Sequence, residues 1–217
     1  MDTLIKLQVK ALLIQKDYSE LLRLCQRQRR FWRTLQLCLY ETDENLRWPA
    51  IKAVAELLKT WWCKDDREKV QEYIRNLLWL LNEESGGISW SAPETIAETI
   101  VSIPELLEPY SSIMIARAFE GSSFFNGGLW AIGRLGEQIM ETIVFFQDKV
   151  FAAFGSDAPE TLGLAVWALG EANFTPALAY LTMFRDREEL VRIYIDGYFQ
   201  EKSLGNWSSE AIAKISK

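Results

Sequence analysis

The chain has 217 residues, a formal charge of −6, 49% hydrophobic and 25% charged residues, and no histidine. These are globular proportions, which exclude a disordered chain. Without histidine, the commonest general base and the commonest zinc ligand are both missing. Residues 1–34 hold eight Lys/Arg against three Asp/Glu, whereas 41–217 hold sixteen against twenty-seven. Most of the chain would therefore repel phosphate, and duplex DNA is disfavoured as a partner. Cys25, Cys38 and Cys63 form no CxxC pair and read as buried structural thiols, with no metal site and no cofactor expected.

The amino end, MDTLIKLQVKALL, carries charges within its apolar run. It reads as neither a signal peptide nor a membrane span, so a cytoplasmic protein with no membrane partner is expected. Residues 3–15 place Leu4, Leu7, Val9, Leu12 and Leu13 at mostly helical spacing. Asp17 is positioned to cap a second helix carrying Leu21, Leu22, Leu24 and Cys25. A third begins in RQRRFWR (27–33), whose four arginines surround Phe31 and Trp32. That cluster suits an acidic partner or RNA, but a solvated helix face is the plainer reading. Residues 1–42 are thus expected to form N-terminal capping helices.

From there a unit repeats. Its copies are AIKAVAE (50–56), APETIAE (92–98), AIGRLGE (131–137), AVWALGE (165–171) and a degraded SSEAIAK (208–214). The starts lie 42, 39, 34 and 43 residues apart. Periods of this size indicate stacked helical hairpins, none of which can bury its own apolar face. Small residues in several slots would let neighbouring helices approach closely. The fifth slot (Val54, Ile96, Leu135, Leu169, Ile212) would point into the shared core. Residues 67–82, 104–121, 138–154 and 175–184 read as partner helices, and REELVRIYIDGYF (187–199) as one more. The expectation is an all-α chain without a sheet. It would form one domain over 1–217, a right-handed α-solenoid with about five repeat units in 43–217.

The repeats resemble HEAT repeats, in particular the phycocyanobilin-lyase-like form. The likeness rests on DENLRWPAIKAVAE (43–56), including Arg47, and on DAPETLGLAVWALGE (157–171), and it spans about 43–217. More narrowly, the chain resembles a small prokaryotic group of HEAT-repeat proteins with a W-x-L-N-x-E-S-G-G segment before W-x-A-P-E and a later W-A-I-G-R. The matching residues are Trp79, Asn82, Glu84, Ser85, Gly86, Gly87, Trp90, Pro93, Glu94, Trp130 and Arg134. The resemblance implies an armadillo-like fold and supplies no activity.

Candidate site residues follow from spacing. Ser85, Gly86 and Gly87 form a loop before a helix start, and Ser91 and Glu94 have capping-box spacing. Trp90, Glu94 and Glu98 are four apart and share a helix face, as do Trp130 and Arg134. Trp48 and Trp90 occupy the same repeat position. If these helices line the concave side of the solenoid, their side chains would form a groove for a protein or peptide, with Arg134 meeting Glu94 or Glu98. Alternatively, the tryptophans fill gaps between repeats and the charges pair internally. The recurring Glu56, Glu98, Glu137 and Glu171 read as structural.

The chain is therefore read as a non-catalytic interaction or scaffold module. The alternatives are a ligand-binding or enzymatic HEAT-like protein. One is a bilin lyase or chromophore chaperone, suggested by repeat subtype alone. The other is an alkylpurine DNA glycosylase, whose tryptophan, acid and arginine set Trp90, Glu94, Arg134 and Trp167 would imitate. The acidic body weighs against the glycosylase.

Overall fold

The computed structural model describes residues 2–81 and 91–217, and these fall into two compact units, Met1–Leu106 and Leu107–Lys217. The described residues are mostly helical. No helix among them is long and apolar enough to cross a membrane.

The first unit contains α1 (Asp2–Ile14), α2 (Tyr18–Arg27), α3 (Arg29–Cys38), α4 (Glu44–Cys63), α5 (Arg67–Leu80) and α6 (Ala92–Ser102). Asp17 caps α2 as its spacing predicts, accepting the Glu20 amide at 3.1 Å. A single extended residue, Gln28, separates α2 from α3 and returns its N–H to the Leu24 carbonyl at 2.9 Å. Asp43 caps α4 by accepting the Asn45 amide at 2.9 Å. The α4 helix is apolar around much of its circumference because α1, α2, α3, α5 and α6 all pack against it. Its Ile51, Val54, Leu57 and Leu58 are essentially inaccessible to water. Burial of each is worth about 1.5–3 kcal/mol relative to exposure.

The second unit contains α7 (Leu107–Ala118), α8 (Phe125–Leu135), α9 (Met140–Phe145), α10 (Gln147–Ala152), α11 (Pro159–Glu171) and α12 (Leu178–Thr182). Then come β1 (Leu190–Ile195), β2 (Tyr198–Ser203) and α13 (Leu204–Ile215). Pro159 opens α11 in the first turn, where a missing N–H costs least. Helix α11 is buried from Thr161 through Gly170, and it packs on α8, α13 and β1.

The five repeat copies lie on α4, α6, α8, α11 and α13. Their first-slot residues, Ala50, Ala92, Ala131, Ala165 and Ser208, are all fully buried. In the fifth slot Val54, Ile96, Leu135 and Leu169 are buried, and Ile212 of the degraded copy is half-buried. Within the first unit α4 packs on α6; within the second, α8 packs on α11 and α11 on α13.

One expectation is corrected. Residues 190–203 form an antiparallel hairpin, where the sequence reading placed a helix over 187–199 and no sheet anywhere. The pairing runs from Leu190 with Ser203 to Ile195 with Tyr198, leaving Asp196 and Gly197 as a two-residue loop. Both loop residues have positive φ, 49° and 97°, as a type I′ turn requires. Asp-Gly is among the strongest local signals for such a turn, and the buried Val191 and Ile193 alternate with exposed Leu190 and Arg192.

A Cβ added at Gly197 would meet nothing within 4 Å, so Gly197→Ala isolates the backbone cost. The substitution is expected to lower stability by about 1–2 kcal/mol, measured by thermal unfolding. An unchanged melting temperature would show that the turn can relax without penalty.

Candidate functional site

The hairpin and the last helix close over α11 and α8 to form a polar cleft of about 400 Å³ within the second unit. Trp167 and Glu171 are four residues apart on α11, so they share a face, and the Trp167 indole donates to Glu171 Oε1 at 3.0 Å. Trp207, Glu210 and Lys214 likewise share a face of α13. Gln200 and Lys202 are two apart on β2 and project to the same side of the ladder. Arg134 comes from the last turn of α8, and Asp196 from the hairpin loop.

Among the described residues three ion pairs border the cleft, and each joins different elements. Arg134 Nη1 lies 3.4 Å from Asp196 Oδ1, and Lys202 Nζ lies 2.7 Å from Glu210 Oε2. Lys214 bonds to Glu171, the acceptor of the Trp167 indole. Exposed pairs of this kind contribute about 0–1 kcal/mol each, so their main consequence is to fix where the charges stand.

Trp167 and Trp207 form a largely buried floor, only 5% and 3% exposed. The Trp207 indole donates to the Val191 carbonyl at 3.1 Å, and Lys202 Nζ lies 4.3 Å from the Trp207 ring centroid. Behind the floor, the Trp130 indole donates to the Tyr194 carbonyl at 2.8 Å, and its ring lies 6.4 Å from that of Trp167. The arrangement presents charges of both signs and hydrogen-bonding groups over a rigid aromatic base.

Of the residues expected to form a groove, Arg134 lines this cleft, and Trp130 supports it from within the core. Trp48 is buried in α4. Glu98 is buried on α6 and accepts Lys52 Nζ at 2.9 Å, while the same ammonium lies 3.2 Å from Glu56. One lysine therefore bridges two of the recurring acids, consistent with a structural role for them. Glu171 accepts the Trp167 indole at the cleft, and Glu137 is exposed. Ser85, Gly86, Gly87 and Trp90 lie outside the described residues.

The capping-box expectation is corrected. The Ser91 hydroxyl donates to the Leu39 carbonyl at 2.9 Å and makes no capping bond to the start of α6. Ser91 is fully buried, so its hydroxyl needs a partner within the core, and the Leu39 carbonyl supplies it. Glu94 is also buried, and among the described residues its Oε2 has no hydrogen-bond partner. Desolvation pushes its carboxyl up to about 7, opposed by its own amide and by the charge of Arg47.

The sequence reading missed Asp196, Lys202, Trp207, Glu210 and Lys214. The signal available was Asp196-Gly197: once that is read as a hairpin turn, β2 leads directly into α13 and brings its face towards α11. Among the described residues no cluster of three or more His, Cys, Asp or Glu is placed to hold a metal. Cys25 and Cys38 are buried, and burial raises both thiols well above their ordinary range. Cys63 is exposed, contrary to expectation, because it ends α4 at the surface. No family model matches the chain, and no curated protein matches it in sequence.

Proposed function

We propose that this chain is a non-catalytic interaction module of HEAT-like repeats, and that the cleft of the second unit takes a short segment of a protein partner. The solenoid reading is supported by successive repeat helices packing side by side, α4 on α6 and α8 on α11 on α13, through fully buried small residues. The observation that carries the functional reading is the ring of matched pairs, Arg134–Asp196, Lys202–Glu210 and Lys214–Glu171, around the tryptophan floor. A peptide carries amide donors, carbonyl acceptors and side chains of either charge, and such a ring can answer all of them. A nucleic-acid backbone carries one sign only. Here each cleft cation already stands against an acid, so little net positive charge remains to hold it. The exposed, unpaired Cys63 fits a reducing compartment, and the proposed location is the cytoplasm.

The test is a charge swap. The double variant K202E/E210K keeps an ion pair across the cleft and reverses its direction. It is expected to melt within a few degrees of the parent. Its affinity for peptides selected on the parent from a random display library should fall at least about tenfold. Unchanged affinity, or selection that yields no peptide while small-molecule or nucleic-acid ligands bind, would overturn the reading.

A further inference from the structure

The first unit has a cleft of its own, about 350 Å³, between α3 and the α4–α5 pair. Its chemistry differs from that of the second-unit cleft. Arg29 and Arg33 are four residues apart, so both guanidinium groups stand on one side of α3 and line the opening. Lys69 lines the other wall, its ammonium 3.5 Å from the Trp61 ring centroid and 3.3 Å from Asp66. Among the described residues Glu72 is the one acid of the lining. Among the described residues neither Arg29 nor Arg33 has an ion-pair partner, although the sequence from 41 to 110 holds fourteen acids against seven bases. Two unmatched arginines beside an acid-rich sequence are a local excess that the fold does not neutralise.

The aromatic groups decide between kinds of anion. Trp32 meets Trp61 edge to face at 5.2 Å, and Tyr73 lies 5.3 Å from Trp32 at 53°. Lys69 occupies a face of Trp61. The rings are thus engaged with one another and with a cation, whereas single-stranded nucleic acid is held on open aromatic faces where bases stack. A short acidic peptide does not need such faces. Arginine forks bind carboxylates in bidentate geometry, and the four-residue spacing separates the two forks by about 5–6 Å at their bases, matching two nearby carboxylates.

We infer that the Arg29–Arg33–Lys69 cleft is a docking site for a short acidic peptide segment of a partner. This site does not depend on the second-unit cleft, and the two can fail separately.

A fluorescein-labelled peptide, Glu-Glu-Phe-Glu-Glu with blocked ends, and a labelled eight-nucleotide single-stranded RNA serve as probes on the full chain. Fluorescence anisotropy should show saturable peptide binding, weakened at least about tenfold by R29E/R33E and less than about threefold by R30E. Arg30 is on the same helix, exposed and outside the cleft lining, so R30E controls for charge alone. Arg29 and Arg33 are exposed, so the double variant is expected to melt like the parent. Should it fail to fold, R29A/R33A gives the same comparison. No binding to the parent at about 1 mM peptide, an equal loss in R30E, or tighter binding of the RNA than of the peptide would each overturn the inference.

Discussion

Glu94→Gln is expected to make the protein more stable at pH 8 and to flatten its stability profile between pH 5 and 8. Glu94 lies in the first turn of α6, within a stretch that is buried from Ala92 to Ile100. Its carboxyl, ordinarily near 4.5, is pushed up to about 7 by the loss of water around it. In the unfolded chain it ionises near its ordinary value. Between the two pKa values the unfolded state releases a proton that the folded state keeps. The resulting stabilisation is complete below about pH 4.5, declines as pH rises and is gone above about pH 7.

The size is roughly 3 kcal/mol, from about 1.4 kcal/mol per pH unit of separation. Glutamine copies the neutral carboxyl and never ionises, so it removes both the slope and the cost of a buried charge at high pH. The amide of Glu94 itself, and after it the charge of Arg47, lower the carboxyl only in part. On the acid side Glu41 acts with the opposite sign. Lys10 hydrogen-bonds to it and holds it below its ordinary value, so its contribution is present above that value and lost as pH falls. Thermal unfolding of the parent and the variant at half-unit pH steps tests the assignment. A flat parent profile from pH 5 to 8, or a variant less stable at pH 8, would refute it.

The helical part of the fold was legible because repetition multiplies a weak signal. One buried alanine says little, but Ala50, Ala92, Ala131 and Ala165 recurring before an aliphatic and an acid mark a face that must be covered. In the structure all four are fully buried. The hairpin was not legible by the same means, because it interrupts the repeat and because IYI suits a helix face as readily as a strand. Only Asp196-Gly197 discriminates, by permitting two successive positive φ angles.

The site was less legible than the fold. Arg134 could be singled out from its spacing to Trp130, but its ion-pair partner Asp196 lies sixty-two residues away in a loop that the sequence reading placed within a helix. Lys202, Glu210 and Lys214 carry no pattern of their own. They become a site only when the hairpin and α13 fold back on α11, and local spacing does not encode that closure. Glu94 shows the reverse failure: its capping-box spacing was visible, but the burial that diverts Ser91 to the Leu39 carbonyl was not.

Gly170→Ala should destabilise the protein by about 2–3 kcal/mol, although the same change in an ordinary helix interior stabilises by about 0.5–1 kcal/mol. The sign is what the contact decides. Gly170 lies near the end of α11, where α13 crosses it. A Cβ built there would lie 2.6 Å from Ala211 Cβ and 2.8 Å from Ala211 Cα. The second distance is to backbone, so no side-chain rotation relieves it, and the two helices would have to separate. Separation would loosen the Lys214–Glu171 pair and the Trp167 indole bond, which depend on the same approach. The equivalent slots on α4 and α6 hold Ala55 and Ala97, both fully buried, so those packings accommodate a methyl group that this one does not. At this chain length the loss corresponds to a fall of roughly 4–12 °C in melting temperature. Gly155→Ala is the control, because a Cβ there meets nothing within 4 Å and should cost little. Adding A211G to the variant removes the closer contact and should recover part of the loss. A Gly170→Ala protein as stable as its parent would mean that α11 and α13 do not approach as closely as the structure has them, and the cleft geometry built on that approach would fall with it.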